Sequence, residues 1–259
     1  MISTTPLRPL ADKIALVTGS SRGIGAAVAK RLALDGAHVV VHYGSNASNG
    51  QNVVDSIREA GGSAALLQAD LGQLQGPAQL LAALPRAFDG RFANRLDILV
   101  NNAGTFEYAP LTQATDESFD RLFNLNVRSV FQLSRHAAGL MIAAGWGRII
   151  NMGSVFGEAA PAPGMSLYCG TKFALQGFTR AWSRDLGPHG ITVNNIQPAV
   201  IQPEPAPTSG PTFEAMKRHT SVGRFGKAHE IGDMAAFLAS PQAAFITGES
   251  FNVDGGWNA

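Results

Sequence analysis

One cysteine, Cys169, stands in 259 residues. A lone thiol excludes an internal disulfide and fits a reducing compartment. No apolar run approaches the roughly 18 residues a membrane span requires. Residues Met1 to Leu10 place no charged region ahead of an apolar stretch, so no signal peptide is expected. An excess of charge is missing too: 20 Lys and Arg stand against 19 Asp and Glu, a net charge of +1. Such a balance offers nothing to steer the chain toward nucleic acid or an anionic membrane, and no long basic block interrupts it. Repeats, low-complexity tracts and interdomain linkers are likewise missing. The expectation is a soluble, cytoplasmic chain folding as a single domain over residues 1–259, long enough to bury a large core.

What is present is alternation. Short apolar runs suited to strands occur at Ile14–Thr18, His38–Tyr43, Ala64–Ala69, Ile98–Asn101, Arg148–Met152, Thr192–Ile196 and Ser250–Val253. Between them, helical patterns cover Gly25–Asp35, Gln51–Ala60, Gln75–Phe88, Glu117–Ala144, Ser166–Leu186 and His229–Ala239. The alternation predicts an α/β fold, a doubly wound parallel sheet of seven strands with helices on both faces. The first and fourth runs are almost wholly aliphatic, as strands buried on both sides should be. One stretch breaks the rhythm. Gln202 to Pro211 carries Pro203, Pro205, Pro207 and Pro211, which excludes a regular helix or central strand. It follows a strand end on the side where such sheets bind ligands, so residues 202–218 are expected to cover a substrate.

Two motifs carry chemistry. Thr18-Gly19-Ser20-Ser21-Arg22-Gly23-Ile24-Gly25 joins the first strand to the first helix. Glycines there let the chain turn sharply and let a phosphate approach the backbone at a helix N-terminus. Their spacing is G-x-x-x-G-x-G, rather than the commoner G-x-G-x-x-G. Far downstream, Tyr168 and Lys172 lie four apart in a helical segment, hence on one face. The ammonium is expected to draw the phenol pKa down from about 10 toward working pH. Together the motifs point to hydride transfer, with Cys169 turned away from Tyr168 on the helix. Cofactor choice follows from charge. An NAD site places an acid at the end of the second strand, and here that strand ends His42-Tyr43-Gly44-Ser45-Asn46. Without a carboxylate to repel it, a 2′-phosphate can meet Arg22 and Ser45, so NADP(H) is expected.

In this set the chain resembles the short-chain dehydrogenase/reductase family almost end to end. The resemblance rests on Thr18–Gly25, Asp70-Leu71, Asn101-Asn102-Ala103-Gly104, Asn126, Ser154, Tyr168 with Lys172, Ile246-Thr247-Gly248 and Asp254-Gly255-Gly256. It implies a Rossmann-type fold and NADPH-dependent reduction of a ketone, run reversibly. Tyr168 is then the proton donor, and Lys172 tunes it and binds the nicotinamide ribose. Ser154 holds the carbonyl oxygen, and Asn126 anchors a water leading from the lysine. Cofactor contacts are implied for Gly19, Ser21, Arg22, Gly23, Ile24, Gly25, Tyr43, Ser45, Asp70, Leu71, Asn102, Ala103, Gly104, Pro198 and Ile201. No metal is implied.

Departures from the family pattern are visible. Ser154 and Tyr168 are fourteen apart, one more than commonest. Ala199 and Pro203 replace a glycine and a threonine, which leaves the nicotinamide carboxamide to the Ile201 backbone. The family packs its two long helices, here Glu117–Ala144 and Ser166–Leu186, against neighbours and pairs final strands, so a homotetramer is expected. Phe106, Phe156, Met165, Phe213 and Met216 suit a hydrophobic small ketone. A 3-oxoacyl-carrier-protein reductase is the alternative, weighed down by Gly139 and His189 where arginines would greet an acidic carrier. A non-catalytic NADP(H)-binding sensor is a further alternative, one that would lose members of the Asn–Ser–Tyr–Lys set.

Overall fold

A computed structural model describes residues 8–160, 162–202 and 210–259. In chain order the elements are β1 (Ile14–Val17), α1 (Gly23–Leu34), β2 (His38–Tyr43), α2 (Ala47–Glu59), β3 (Ser63–Gln68), α3 (Gly76–Ala83), β4 (Ile98–Asn101), α4 (Asp116–Phe123), α5 (Ser129–Ala144), β5 (Gly147–Met152), α6 (Ser166–Leu186), β6 (Ile191–Pro198), α7 (Pro211–His219), α8 (Ala228–Ala239) and β7 (Ser250–Val253). The strands form one parallel sheet in the order β3-β2-β1-β4-β5-β6-β7. The chain leaves β3 at one edge and returns to the middle as β4, beside β1. That reversal opens a crevice beyond the C-terminal ends of β1 and β4, the place where open α/β sheets take ligands.

Each face of the sheet has its own core. Val28, Leu32, Ile231 and Leu238 from α1 and α8 pack on Val17, Val39, Val41 and Val100. On the other face Leu80, Leu133, Ala137 and Met141 from α3 and α5 pack on Leu16, Val40, Leu99 and Ile149. Both faces of β1 and β4 are thereby buried, which is why those runs are unbroken aliphatics rather than alternating. Each such side chain contributes about 1.5–3 kcal/mol on leaving water.

Local chemistry sets the helix ends, and in places it differs from the expected boundaries. Asn46 caps α2, its side chain accepting from the Asn49 N–H, so this helix starts earlier than the periodicity predicts. Thr115 caps α4 by accepting from the Ser118 N–H, with Asp116 and Glu117 in the favourable first turn. The helix expected over Gln75–Phe88 divides at Pro85, whose missing amide ends α3; the chain then turns through a kink in which Ala87 is extended and Phe88 and Asp89 hold φ of 53° and 57°. The long helix over Glu117–Ala144 is continuous in direction but contains a π turn at Asn124–Arg128, closed by Ser129 N–H donating to Asn124 O. Residues 211–219, expected within a covering loop, form α7. The prolines at 203, 205 and 207 lie outside the described residues. Among the described residues no helix is long and apolar enough to cross a membrane.

Candidate active site

The glycine loop is a cradle locked from both sides. Gly19 and Gly23 hold φ of 61° and 56°, the left-handed region. A Cβ on Gly25 would lie 2.4 Å from Asn102 Nδ2 and 2.5 Å from Gly19 O, so no other residue fits. Thr18 Oγ1 accepts the Asn102 and Ala103 N–H groups (2.9 and 3.0 Å), and Asn102 Nδ2 donates back to Thr18 O (2.8 Å). Loop and β4 end are thus one hydrogen-bonded unit.

Beneath the loop lies a residue that the sequence reading passed over. His42 points inward from β2, and its Nδ1 accepts the Gly19 N–H at 2.9 Å while Nε2 faces Ala69 O at 3.0 Å. The first bond requires a bare Nδ1 and therefore a proton on Nε2, which donates to Ala69 O. Burial pushes the His42 pKa down to about 4, keeping the ring neutral. Tyr43, the next residue, alternates to the other side of the strand. Its ring packs at Gly50 on α2 and is not among the cleft-lining groups, because the pleat of the strand turns it away from His42.

A cleft of about 640 Å³ runs over the cradle. Gly19, Ser21, Arg22, Gly23, Ile24, Gly25, Ser45, Asp70, Leu71, Asn102, Ala103 and Gly104 all line it, as expected, joined by His42, Gly44, Asn46, Asn49, Ala69 and Leu125. Among the described residues Asp70 supplies the carboxylate in this lining, and its Oδ1 accepts the Gly72 N–H at 3.0 Å. No acid stands at the end of β2, and Arg22 supplies the cation. A backbone cradle with room for phosphates, at a switch point, fits a dinucleotide.

Ile24, Asn102 and Gly104 also line a second cavity of about 240 Å³, shared with Phe106, Met152, Ser154, Tyr168, Lys172, Pro198 and Ala199. Ser154 sits just past β5, and its Oγ accepts the Phe156 N–H at 3.2 Å. Tyr168 and Lys172 come from the first two turns of α6. Lys172 is buried, with Nζ donating to Met152 O at 2.8 Å and lying 5.6 Å from the centroid of the Tyr168 ring. Burial lowers its pKa to about 8. The phenol behaves contrary to expectation. Burial pushes Tyr168 upward, opposed by the nearby Ser154 hydroxyl; the Lys172 ammonium donates to a main-chain carbonyl and stands over the ring.

Asn126 lies in the π turn and fastens the neighbourhood. Its Oδ1 accepts Thr105 N–H at 2.9 Å, and Nδ2 donates to Thr105 O (2.8 Å) and Thr171 Oγ1 (3.1 Å). Ile201 does not line either cavity. It forms a parallel bridge with Gly226, whose N–H donates to Val200 O and whose carbonyl accepts Gln202 N–H. Cys169 is buried and turned toward Ala159 O, as its place on the helix requires. Of the apolar residues expected around a substrate, Phe106 and Phe156 flank Tyr168, whereas Phe213 packs on Phe225. His189 and Gly139 do not flank the entrance. His189 precedes β6 at the N-terminal ends of the strands, opposite the cleft, and Gly139 lies toward the end of α5 that leads to that same end.

A cradle of this kind, locked to the switch point of a parallel sheet, defines a dinucleotide-binding α/β protein. A family model described as enoyl-(acyl carrier protein) reductase matches residues 19–258. The chain is 37% identical over 266 residues to a hydroxynaphthalene reductase of Aspergillus fumigatus, covering 97% of this chain and 94% of that one. Among solved structures, a short-chain dehydrogenase/reductase from Serratia marcescens superposes with a TM-score of 0.90 at 42% identity, covering 97% of this chain and all of that one. A short-chain dehydrogenase from Burkholderia cenocepacia, solved in complex with NADP, gives 0.87 at 40% identity, with 97% and 100% covered. The chain belongs to the short-chain dehydrogenase/reductase family and is an oxidoreductase of that type.

Proposed function

We propose that the chain reduces a ketone to a secondary alcohol, reversibly, with NADPH as the reductant. The observation that carries this reading is the convergence of Ser154, Tyr168 and Lys172 on one cavity that opens onto the glycine cradle. Bound in the cleft, the nicotinamide would supply the hydride. The Ser154 hydroxyl holds the carbonyl oxygen, and Tyr168 gives that oxygen its proton as negative charge develops. Lys172, with a pKa of about 8, is protonated at neutral pH and stands ready to return a proton toward the phenol. Its ammonium also stabilises the phenolate left behind. Asn126 keeps Thr105 and Thr171, and through them the lysine's surroundings, in register.

The preference for NADP(H) rests on Arg22, Ser45 and the missing acid at the end of β2, and it agrees with the cofactor of the Burkholderia cenocepacia relative. Asp70 is suited to the adenine amino group. The Ile201 main chain remains the partner for the carboxamide, since strand alternation turns its N–H and C=O away from the side bonded to Gly226. The assembly reading is a homotetramer, and half-exposed Phe131 beside Trp182, on α5 and α6, suits a packed face. With one thiol and no pairing partner for it, the reading for location is the cytoplasm.

A second reading is reduction of a 3-oxoacyl carrier protein; the family model's description shares with it only the carrier-protein substrate, since it names an enoyl reductase. Oxidation of NADPH and of NADH against alkyl ketones, aryl ketones and a 3-oxoacyl thioester separates the readings. The first requires ketone turnover with NADPH preferred. A thioester reduced at least tenfold better than any ketone favours the second, and no oxidation with any partner leaves a nucleotide-binding sensor.

A further inference from the structure

Phe106 and Tyr168 line the catalytic cavity, and a series of ring contacts leads outward from Tyr168. Phe106 meets Tyr168 edge-on at 5.1 Å between centroids, and Phe156 meets it at 6.2 Å. Phe156 in turn meets Trp257 at 6.4 Å, and Trp257 meets His219 of α7 at 4.5 Å. All four pairs are T-shaped. Phe106 is 53% exposed, so about half of its surface has no protein partner.

Trp257 comes from the end of the chain, yet it is held as firmly as a loop between strands. Gly255 and Gly256 turn the backbone at φ of 65° and 77°. Asp254 accepts the N–H groups of Gly256 (2.8 Å) and Asn258 (3.1 Å). On one side Val222 N–H donates to Gly255 O at 3.1 Å, and Ser221 Oγ donates to Gly256 O at 3.2 Å. On the other, Asn258 Nδ2 donates to Val155 O and Glu158 Oε2, both at 3.3 Å. The tail therefore ties the segment after α7 to the loop that carries Ser154 and Phe156, with the indole between them.

We propose that Trp257 is a specificity-determining residue, and that with Phe156 and Phe106 it selects a carbonyl attached directly to a flat aromatic ring. This rests on the ketone-reductase reading and names its substrate class. A rigid aromatic wall gains from the ring quadrupole of an aryl group and gives an alkyl chain of equal size only contact area. Phe106 beside Tyr168 places that preference within one ring of the reacting oxygen. The acids beside the wall are engaged, Glu158 by Asn252 and Asn258 and Asp254 by the Gly256 and Asn258 N–H groups, so neither is aimed at an apolar ring.

The test compares an aryl alkyl ketone with an alkyl ketone of equal carbon number in the full-length enzyme. Trp257→Leu is expected to lower kcat/KM for the aryl ketone about tenfold, through KM, with less than a twofold change for the alkyl ketone. Trp257→Phe should keep most of the preference, which separates ring chemistry from loss of a packed tail. A binding readout runs beside it. The chain has three tryptophans, and replacing them with 5-fluorotryptophan gives fluorine NMR signals assigned with Trp257→Phe. With NADP⁺ bound, the aryl ketone should move the Trp257 signal and leave those of Trp146 and Trp182. An unmoved Trp257 signal while the aryl ketone turns over, or an unchanged aryl-to-alkyl ratio in Trp257→Leu, overturns the proposal. A moved signal without turnover of any ketone sinks the reductase reading and upholds the aryl site; neither response sinks both.

Discussion

The two halves of the cleft are built by opposite means. The cradle half uses backbone amides, glycines and short polar side chains. Thr18, Ser20, His42 and Asn102 bond the loop to β1, β2 and β4 at 2.6–3.0 Å. The substrate half uses rings from segments far apart in the chain, Phe106, Phe156, Tyr168 and Trp257, that touch edge to face. Phosphate groups ask for N–H groups and the removal of Cβ atoms, which only main chain and glycine supply. A substrate's body asks for shape, which side chains on loops supply one at a time. The difference predicts that lesions in one half will leave the other's readout in place.

The largest separation is expected from Tyr168→Phe. The ring and its packing stay while the proton donor goes, so kcat should fall about 10²–10⁴-fold with NADPH affinity within twofold. Lys172→Ala should instead reduce both. Measuring kcat and the cofactor dissociation constant side by side decides the matter; near-normal turnover in Tyr168→Phe would assign the proton to another group.

Next comes acid stability, carried by the cradle half. His42 is neutral in the fold with a pKa near 4, against about 6.5 unfolded. As pH falls from 6.5 toward 4 the unfolded chain takes a proton that the native chain refuses. Stability from this group is complete above 6.5 and is lost across that window, by about 3 kcal/mol at most. Protonation also places two donors, Nδ1–H and Gly19 N–H, face to face. His42→Gln should flatten the pH dependence of denaturant unfolding between pH 7 and 4.5 without altering aryl-to-alkyl preference at pH 7. An equally steep profile in the variant would show that other groups set the acid limit.

Gly25→Ala should come third. Its Cβ would lie 2.4 Å from Asn102 Nδ2, so the loop must shift away from β4, at a cost of about 1–3 kcal/mol. NADPH affinity should weaken correspondingly in calorimetry, with KM for the ketone at saturating cofactor unchanged. Smallest is Arg22→Ala, expected to reduce the NADPH-over-NADH ratio of kcat/KM about tenfold, near 1.4 kcal/mol for one exposed cation on a phosphate. A ratio that survives the substitution would move the 2′-phosphate contact to Ser45 or Asn46.

Much of this was legible in the sequence because the parallel sheet writes itself as aliphatic runs, and all seven strands fall where those runs lie. The cradle was legible because glycine spacing encodes backbone shape. Other features were not. The π turn at Asn124–Arg128 was not legible because propensity and periodicity alone do not set the single i→i+5 bond between Asn124 and Ser129 that defines it. His42 and Tyr43 exchanged roles because which neighbour faces inward depends on register. The bond from Lys172 to Met152 O was not legible, since it needs the end of β5 brought against α6, a tertiary fact. Trp257 was overlooked because its partners, Phe156 and His219, lie 101 and 38 residues away.

The strand order also has a consequence for synthesis. The amides that fold onto Thr18 belong to Asn102 and Ala103, because β1 pairs with β4 across the reversal. A nascent chain that has emerged only through β3 holds every glycine of the loop and none of those amides, so it cannot compete for nucleotide. At about 5–20 residues per second, several seconds pass between that stage and the arrival of Met152 and Lys172. The ribosome thus delivers the glycine loop before the amides that fasten it, and both before Ser154, Tyr168 and Lys172. Arrested chains stopped before residue 100 should not take up labelled NADPH, while the released full chain should.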